Sequence, residues 1–270
     1  MADIEEIKSR DGEIRRLGSL PMTPGIVCSA PVYEDEFEVW DTADIMRVVS
    51  DKSRTPSRKM FPADKWIKNQ RNHGSCNGFA NASAYSKLLK TLGYEGDFQA
   101  SGAWIYSLIN GGRDEGSQLI DGFKVGQDVG YASEETVGWD MIYPKRQPLA
   151  QAKKEAAEHK GKFYYRCRTL QALKTALAQG WPAVVAVHAG SRFQKLSNGI
   201  AGVDRGPGNH AVNVDDLVIV RGKLVYDMPN TWSVEGYGDD GRAYITDDTL
   251  EEPFQNHAFF VLRGAKVKNG

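Results

Sequence analysis

The residues best placed to do chemistry lie in one stretch, Asn69-Gln70-Arg71-Asn72-His73-Gly74-Ser75-Cys76-Asn77-Gly78-Phe79-Ala80. Here a polar loop ending in glycine runs into a helical pattern, with a cysteine at the join. After Cys76, apolar or small residues recur at Phe79, Ala80, Ala84, Leu88 and Leu92, and Gly93 supplies a stop, so the thiol belongs to the first turn of a helix. Unpaired backbone N–H groups and the positive end of the helix dipole stabilise a thiolate there, bringing a thiol pKa of about 8.5 down toward neutrality. The position is that of an activated nucleophile, whereas a cysteine without such neighbours would read as core packing.

Gln70 stands six residues before Cys76, and the pattern Gln-x-x-x-Gly-Ser-Cys-x-x-Phe-Ala resembles the active-site segment of the papain-like cysteine peptidases. The resemblance implies that the Gln70 side-chain amide and the Cys76 backbone N–H form an oxyanion hole. Asn77 departs from the pattern, since an aromatic residue usually follows the nucleophile. Among the five histidines, His159 falls in a charged helical stretch from Ala152 to Lys160, His188 ends an apolar strand and His257 opens the last one. His73 is expected to point around the loop away from the thiol. His210 differs: in Gly206-Pro207-Gly208-Asn209-His210-Ala211-Val212 a glycine-rich loop enters a strand, and the segment is similar to the family's Asn/Asp-His-Ala-Val base segment. Val225-Tyr226-Asp227-Met228-Pro229-Asn230-Thr231-Trp232 likewise resembles the strand ending in Asn-Ser-Trp. That assigns Asn230 to orient the imidazole and Trp232 to cover the pair from water. Gly238 to Ile245 resembles the Trp-Gly-x-x-Gly-Tyr region, with Tyr237 in place of the second tryptophan.

The same resemblance implies an α+β, papain-like two-subdomain fold: a helical N-terminal half, an antiparallel β-barrel-like C-terminal half, and the active site in the cleft between them. Asp114-Glu115-Gly116-Ser117 followed by a helix, then Gly130 to Glu135, resembles the bacterial or phage-type branch. Gly116 would let a substrate backbone approach closely, Ala211 would line a side-chain pocket, and Trp232 would border the substrate. The helical half reads as the nucleophile helix, then Ala100 to Ile109 and Ser117 to Val129. The β half reads as strands at 183–188, 210–214, 217–220, 224–228, 242–246 and 258–263, with a helix capped by Thr169 before them.

Residues 1–55 differ in texture from the domain expected over 56–270. A charged helical start runs through Arg16, a turn-rich link covers Gly18 to Pro24, and an acidic stretch spans Tyr33 to Asp44. This arm is read as a pro-segment blocking the cleft or as a docking segment joining a larger assembly. From Pro56 an opening strand is expected to lead to Asn69-Gln70.

The 34 basic and 35 acidic residues balance, so nothing points to nucleic acid or a membrane surface. An acidic N-terminus without an apolar core argues against a secretory signal, and three cysteines suit a reducing compartment, so the expected location is cytoplasmic or virion-associated. No Cys-x-x-Cys or His-x-x-x-His cluster suggests a metal, and no cofactor is expected. The expected function is a cysteine endopeptidase acting on protein or peptide through Cys76, His210, Asn230 and Gln70. The alternatives are a peptidoglycan or isopeptide hydrolase using the same Cys-His logic, and a papain-fold structural component, for example of a virus particle, with an idle site.

Overall fold

The computed structural model describes residues 4–23, 30–94 and 96–267. Two short strands, β1 (Glu5–Lys8) and β2 (Ile14–Leu17), open the chain as an antiparallel hairpin. The sequence reading expected a charged helix through Arg16. The Asp11-Gly12 turn decides otherwise, because Gly12 adopts φ 84° and Ser9 and Glu13 close the loop by a backbone hydrogen bond. The segment then passes on to α1 (Tyr33–Glu36) and α2 (Thr42–Val49), the latter capped by the Asp41 carboxylate accepting from the Asp44 N–H. Tyr33 and Ile45 are completely buried. From Pro56 the expected strand is absent. Two single-turn helices, α3 (Ser57–Met60) and α4 (Ala63–Trp66), each following a proline, lead to the Gln70 loop instead.

The nucleophile helix α5 (Cys76–Thr91) runs through the middle of the molecule, buried on every side until its last turn. It crosses α6 (Gly102–Asn110) closely because both carry glycine at the crossing. A Cβ at Gly78 would lie 2.7 Å from the Gly102 carbonyl oxygen, and one at Gly102 would lie 2.4 Å from the Phe79 ring. Helix α7 (Leu119–Asp128) completes this half, and α8 (Leu149–Glu158) ends before His159. His159 therefore opens a strand, β3 (His159–Cys167), rather than lying in a helix.

The other half begins with α9 (Leu170–Ala178), whose Thr169 cap accepts from the Ala172 N–H as expected. It continues through β4 (Ala183–Val187), the short pair β5 (Leu196–Ser197) and β6 (Ile200–Ala201), β7 (His210–Val214), β8 (Asp216–Val220), β9 (Lys223–Pro229) and β10 (Arg242–Ile245). Helix α10 (Asp247–Asn256) precedes the final strand β11 (Phe259–Val267). The strands form two sheets, β3-β11-β4-β7 and β5-β6-β10-β9-β8, antiparallel throughout except for the β6–β10 contact. Strand β7 lies at the edge of the first sheet and packs against α5, which places the start of a strand beside the start of a helix. No helix among the described residues is long and apolar enough to cross a membrane.

The two halves are tied together by buried charge. Lys87 of α5 pairs with Asp215 at 2.5 Å, both side chains being almost wholly enclosed, and Arg242 and Asp227 complete the cluster. Burial outweighs the attraction of Asp215 and brings the Lys87 pKa down to about 8.

Candidate active site

Cys76 begins α5 and is fully enclosed. Its sulfur accepts from the Ala211 N–H at 3.4 Å, and the backbone N–H groups of Gly18 and Asn77 also face it. The expectation of a lowered thiol pKa does not hold in this state. Burial is the largest influence and pushes the thiol up to about 11 against those donors.

His210 is equally buried, at the first position of β7. Its Nε2 donates to the Asn230 Oδ1 at 2.8 Å, and the same oxygen accepts from the Thr231 N–H at 2.7 Å, which fixes the amide's orientation. That tautomer leaves Nδ1 as the unprotonated nitrogen, and Nδ1 has no hydrogen-bond partner among the described residues. Burial first, and then the positive charge of Arg15, bring the imidazole pKa down to about 4, with Asn230 acting in the opposite sense. Trp232 lies over the ring, with centroids 4.7 Å apart, and is itself fully buried. Tyr237 packs edge-on against Trp232.

Gln70 is buried beneath this group. Its Oε1 accepts from the Thr231 hydroxyl, and its Nε2 donates to two backbone carbonyls, His73 at 2.9 Å and Arg16 at 3.0 Å. Asn77 stands where an aromatic residue was expected. Its amide donates to the Ser117 hydroxyl at 3.0 Å and the Gln118 carbonyl at 2.6 Å, tying the Gly116–Gln118 segment to the nucleophile helix. Gly116 adopts φ 71°, and a Cβ there would lie 2.6 Å from the carbonyl oxygen of Gly18.

The structure thus brings Cys76, Gln70, His210, Asn230, Ala211, Trp232 and Gly116 to one place, and it adds residues the sequence reading missed. Residues 15–20 run through the cleft. The Gly18 carbonyl accepts from the Ser117 N–H at 2.8 Å, Leu20 N–H donates to the Ser117 carbonyl at 3.0 Å, and Ser19 N–H donates to the Asn209 carbonyl at 3.0 Å. A Cβ on Gly18 would lie 1.9 Å from the Gly74 carbonyl oxygen, so only glycine fits at this point. Arg15 is completely buried and donates to Ser9, Asn69 and the Trp232 carbonyl while pairing with Asp11 and Glu13. Arg16 pairs with Asp114, whose carboxylate also accepts from the Gly74 N–H and faces His73. The signals for these roles were slight: one glycine after Leu17, and two adjacent arginines in a charged segment.

A family model described as papain family cysteine protease matches residues 57–259. The chain belongs to the papain family. It is a papain-like cysteine peptidase, a hydrolase whose substrates are proteins or peptides. Its fold is similar to that of xylellain, a cysteine protease from Xylella fastidiosa, with a TM-score of 0.69 and 19% identity over all of both chains. It is also similar to the proform of the ragweed pollen cysteine protease Amb a 11, with a TM-score of 0.62 and 18% identity over 93% of this chain and 71% of the other. For procathepsin B from Trypanosoma congolense the TM-score is 0.62, with 17% identity over 92% and 86% of the two chains. No curated protein matches in sequence.

Proposed function

We propose that the chain is a cysteine endopeptidase of the Cys-His-Asn type, held latent by its own residues 5–20. In the reaction, His210 Nδ1 takes the Cys76 proton, the thiolate attacks a peptide carbonyl, and the Gln70 amide with the Cys76 N–H stabilises the oxyanion. The imidazolium, oriented by Asn230, then protonates the leaving amine. Water hydrolyses the resulting thioester and regenerates the thiol.

The observation that carries the latency is the occupation of Gln70 Nε2 by a peptide carbonyl of the arm, that of Arg16, while Gly18 N–H faces the sulfur. The arm also disables the pair electrostatically. Burial holds the thiol protonated and the imidazole neutral, and Arg15 adds to the second effect. When the arm leaves, water enters and a positive charge departs, so the thiol pKa falls and the imidazole pKa rises. Both changes favour the thiolate–imidazolium pair. That two of the similar structures are proforms agrees with this reading.

Treatment of a Gly18→Ala variant, in which the arm cannot seat against Gly74, with a thiol-directed epoxide bearing a peptide, followed by mass spectrometry, tests the assignment. The expected adduct is on Cys76, and casein hydrolysis is expected to vanish in Cys76→Ser. An adduct on Cys167, or cell-wall digestion without casein hydrolysis, would overturn it.

A further inference from the structure

Arg71 follows the oxyanion donor Gln70 directly, yet the reaction described above does not use it. Its backbone takes φ 53°, a left-handed conformation that residues with long side chains rarely adopt. Asn69 holds this turn: its Oδ1 accepts from the Arg71 N–H at 2.8 Å, and its backbone forms an antiparallel bridge with Trp232. The guanidinium lies over the face of Trp139, 4.6 Å from the ring centroid. The indole is fixed in turn, because its Nε1 donates to the Gln70 carbonyl at 2.8 Å. Backbone turn and stacked side chain are thus both tied to the peptide units around Gln70.

The cation so placed is exposed although residues 5–20 cover the reacting groups. Two carboxylates of the surrounding loops are committed elsewhere, Glu134 to Lys68 at 2.9 Å and Asp114 to Arg16, and none among the described residues pairs with Arg71. Beside the stacked pair lies a cavity of about 300 Å³ with Ile67, Phe79, Ala103 and Val137 in its wall and the Lys68–Glu134 pair at its edge. Arg71 and Lys68 against Glu134 leave this corner one positive charge in excess. Its side of the cleft follows from His210. The leaving amine must lie against that imidazole, Trp232 covers the imidazole, and Asn69 and Gln70 pair with Trp232 and Thr231. Arg71 therefore borders the region that receives the leaving fragment.

We propose that Arg71 is a specificity-determining residue that selects substrates carrying an acidic side chain within the first three residues after the scissile bond. The inference rests on the Cys-His-Asn reading and names a substrate class for it. An extended substrate advances about 3.3 Å per residue, so those three residues span about 10 Å, within the combined reach of an arginine and a glutamate. Stacking on Trp139 holds the guanidinium plane in place and leaves its N–H edge free for both oxygens of a carboxylate. An exposed pair is modest in strength, so the expected preference for glutamate over glutamine is roughly threefold to tenfold.

The test measures kcat/KM of the Gly18→Ala chain on peptides with a single glutamate or glutamine at each of the three positions before and after the scissile bond. Glutamate should win after the bond and not before it, and the preference should shrink at high salt. Arg71→Gln should bring the ratio to about one, Arg71→Lys should keep part of it, and Arg71→Glu should turn the preference toward lysine. A ratio of one in the parent, a preference only before the bond, or one that survives Arg71→Gln overturns the proposal. So does an equal loss on every peptide, which would make Arg71 a support for Trp139 alone. Independently of chemistry, the labelled glutamate peptide should bind the Cys76→Ser/Gly18→Ala protein more tightly than its glutamine twin, by the same factor, and lose that advantage in Arg71→Gln. Binding preference without hydrolysis overturns the catalytic reading and upholds the role of Arg71; hydrolysis without preference does the reverse. Absence of both hydrolysis and binding removes the two together.

Discussion

Replacing Gly18 by alanine should open the cleft without touching any reacting group. The added methyl would sit 1.9 Å from the Gly74 carbonyl oxygen, 2.6 Å from its carbon and 2.8 Å from its Cα. All three are backbone atoms of the loop fixed by α5, so the arm has to yield, by roughly 1.5 Å to reach van der Waals separation. A shift of that size breaks the hydrogen bonds that hold the strand: Gly18 and Leu20 with Ser117, Ser19 with Asn209, and Arg16 with Gln70. With roughly 0.5–1.5 kcal/mol net for each of the four, the closed state loses about 2–6 kcal/mol, and the open fraction rises by roughly 30-fold to 10⁴-fold until it saturates. The assay is twofold: iodoacetamide labelling of Cys76 located by mass spectrometry, and hydrolysis of a fluorogenic peptide, both at neutral pH. Circular dichroism confirms that the variant is folded. Both rates should rise at least tens of times over wild type. A folded Gly18→Ala protein whose thiol labels and whose peptide turns over at the wild-type rate would refute the reasoning.

In the Gly18→Ala background, Gln70→Ala should lower kcat on the order of a hundredfold, as for loss of one oxyanion donor, while Cys76 labelling is unchanged. Equal kcat values would remove Gln70 from the mechanism. His257 is 4% exposed, and burial brings its pKa down to about 4 against the Gly208 carbonyl. A base whose folded pKa lies below its unfolded value binds fewer protons when folded, so its stabilising neutral form is lost as pH falls from about 6.5 to about 4. That is worth roughly 3 kcal/mol. His257→Gln should therefore flatten the acid limb of a Tm-versus-pH curve, and an unchanged limb counts against the argument. Asp215→Ala should cost roughly 3–5 kcal/mol in urea unfolding, because it removes the carboxylate paired with the buried Lys87; a loss below 1 kcal/mol would show that the pair is solvated.

The groups of the candidate site were legible because each sits where a local pattern changes: Cys76 at loop-to-helix, His210 at loop-to-strand, Asn230 at a strand end. The strands of the β half with β-branched runs, such as Ala183–Val187, were legible for the same reason. What escaped depends on partners distant in sequence. Strand β3, with its Lys-Gly-Lys start, is a strand because β11 pairs along its whole length. Helix α10 contains Pro253 and reads as a loop until Thr246 and the carboxylates after it are seen to start it. The sign of the Cys76 shift could not be read either, since burial raises the thiol pKa and outweighs the backbone N–H groups that face the sulfur. Of the other two cysteines, Cys28 lies outside the described residues and Cys167 is a buried free thiol.

The stretch read as one arm divides by chemistry into an anchor and a latch. Residues 33–49 are held by apolar contact: Tyr33 and Phe37 join Trp181 and Tyr165 in an aromatic cluster, and Ile45 is fully buried. Residues 4–20 contribute one buried apolar side chain, Leu17, and otherwise close the cleft with Arg15, Arg16 and backbone hydrogen bonds. Such polar contacts exchange readily with water and are individually worth about 1 kcal/mol. They suffice here because the anchor keeps the latch at an effective concentration in the millimolar range. By the same division, removing everything before Thr55 would strip the aromatic cluster from β3 and α9 along with residues 4–20. If residues 4–20 act as the proposed latch, their departure leaves the aromatic anchor in place, and with it the fold that carries Cys76 and His210.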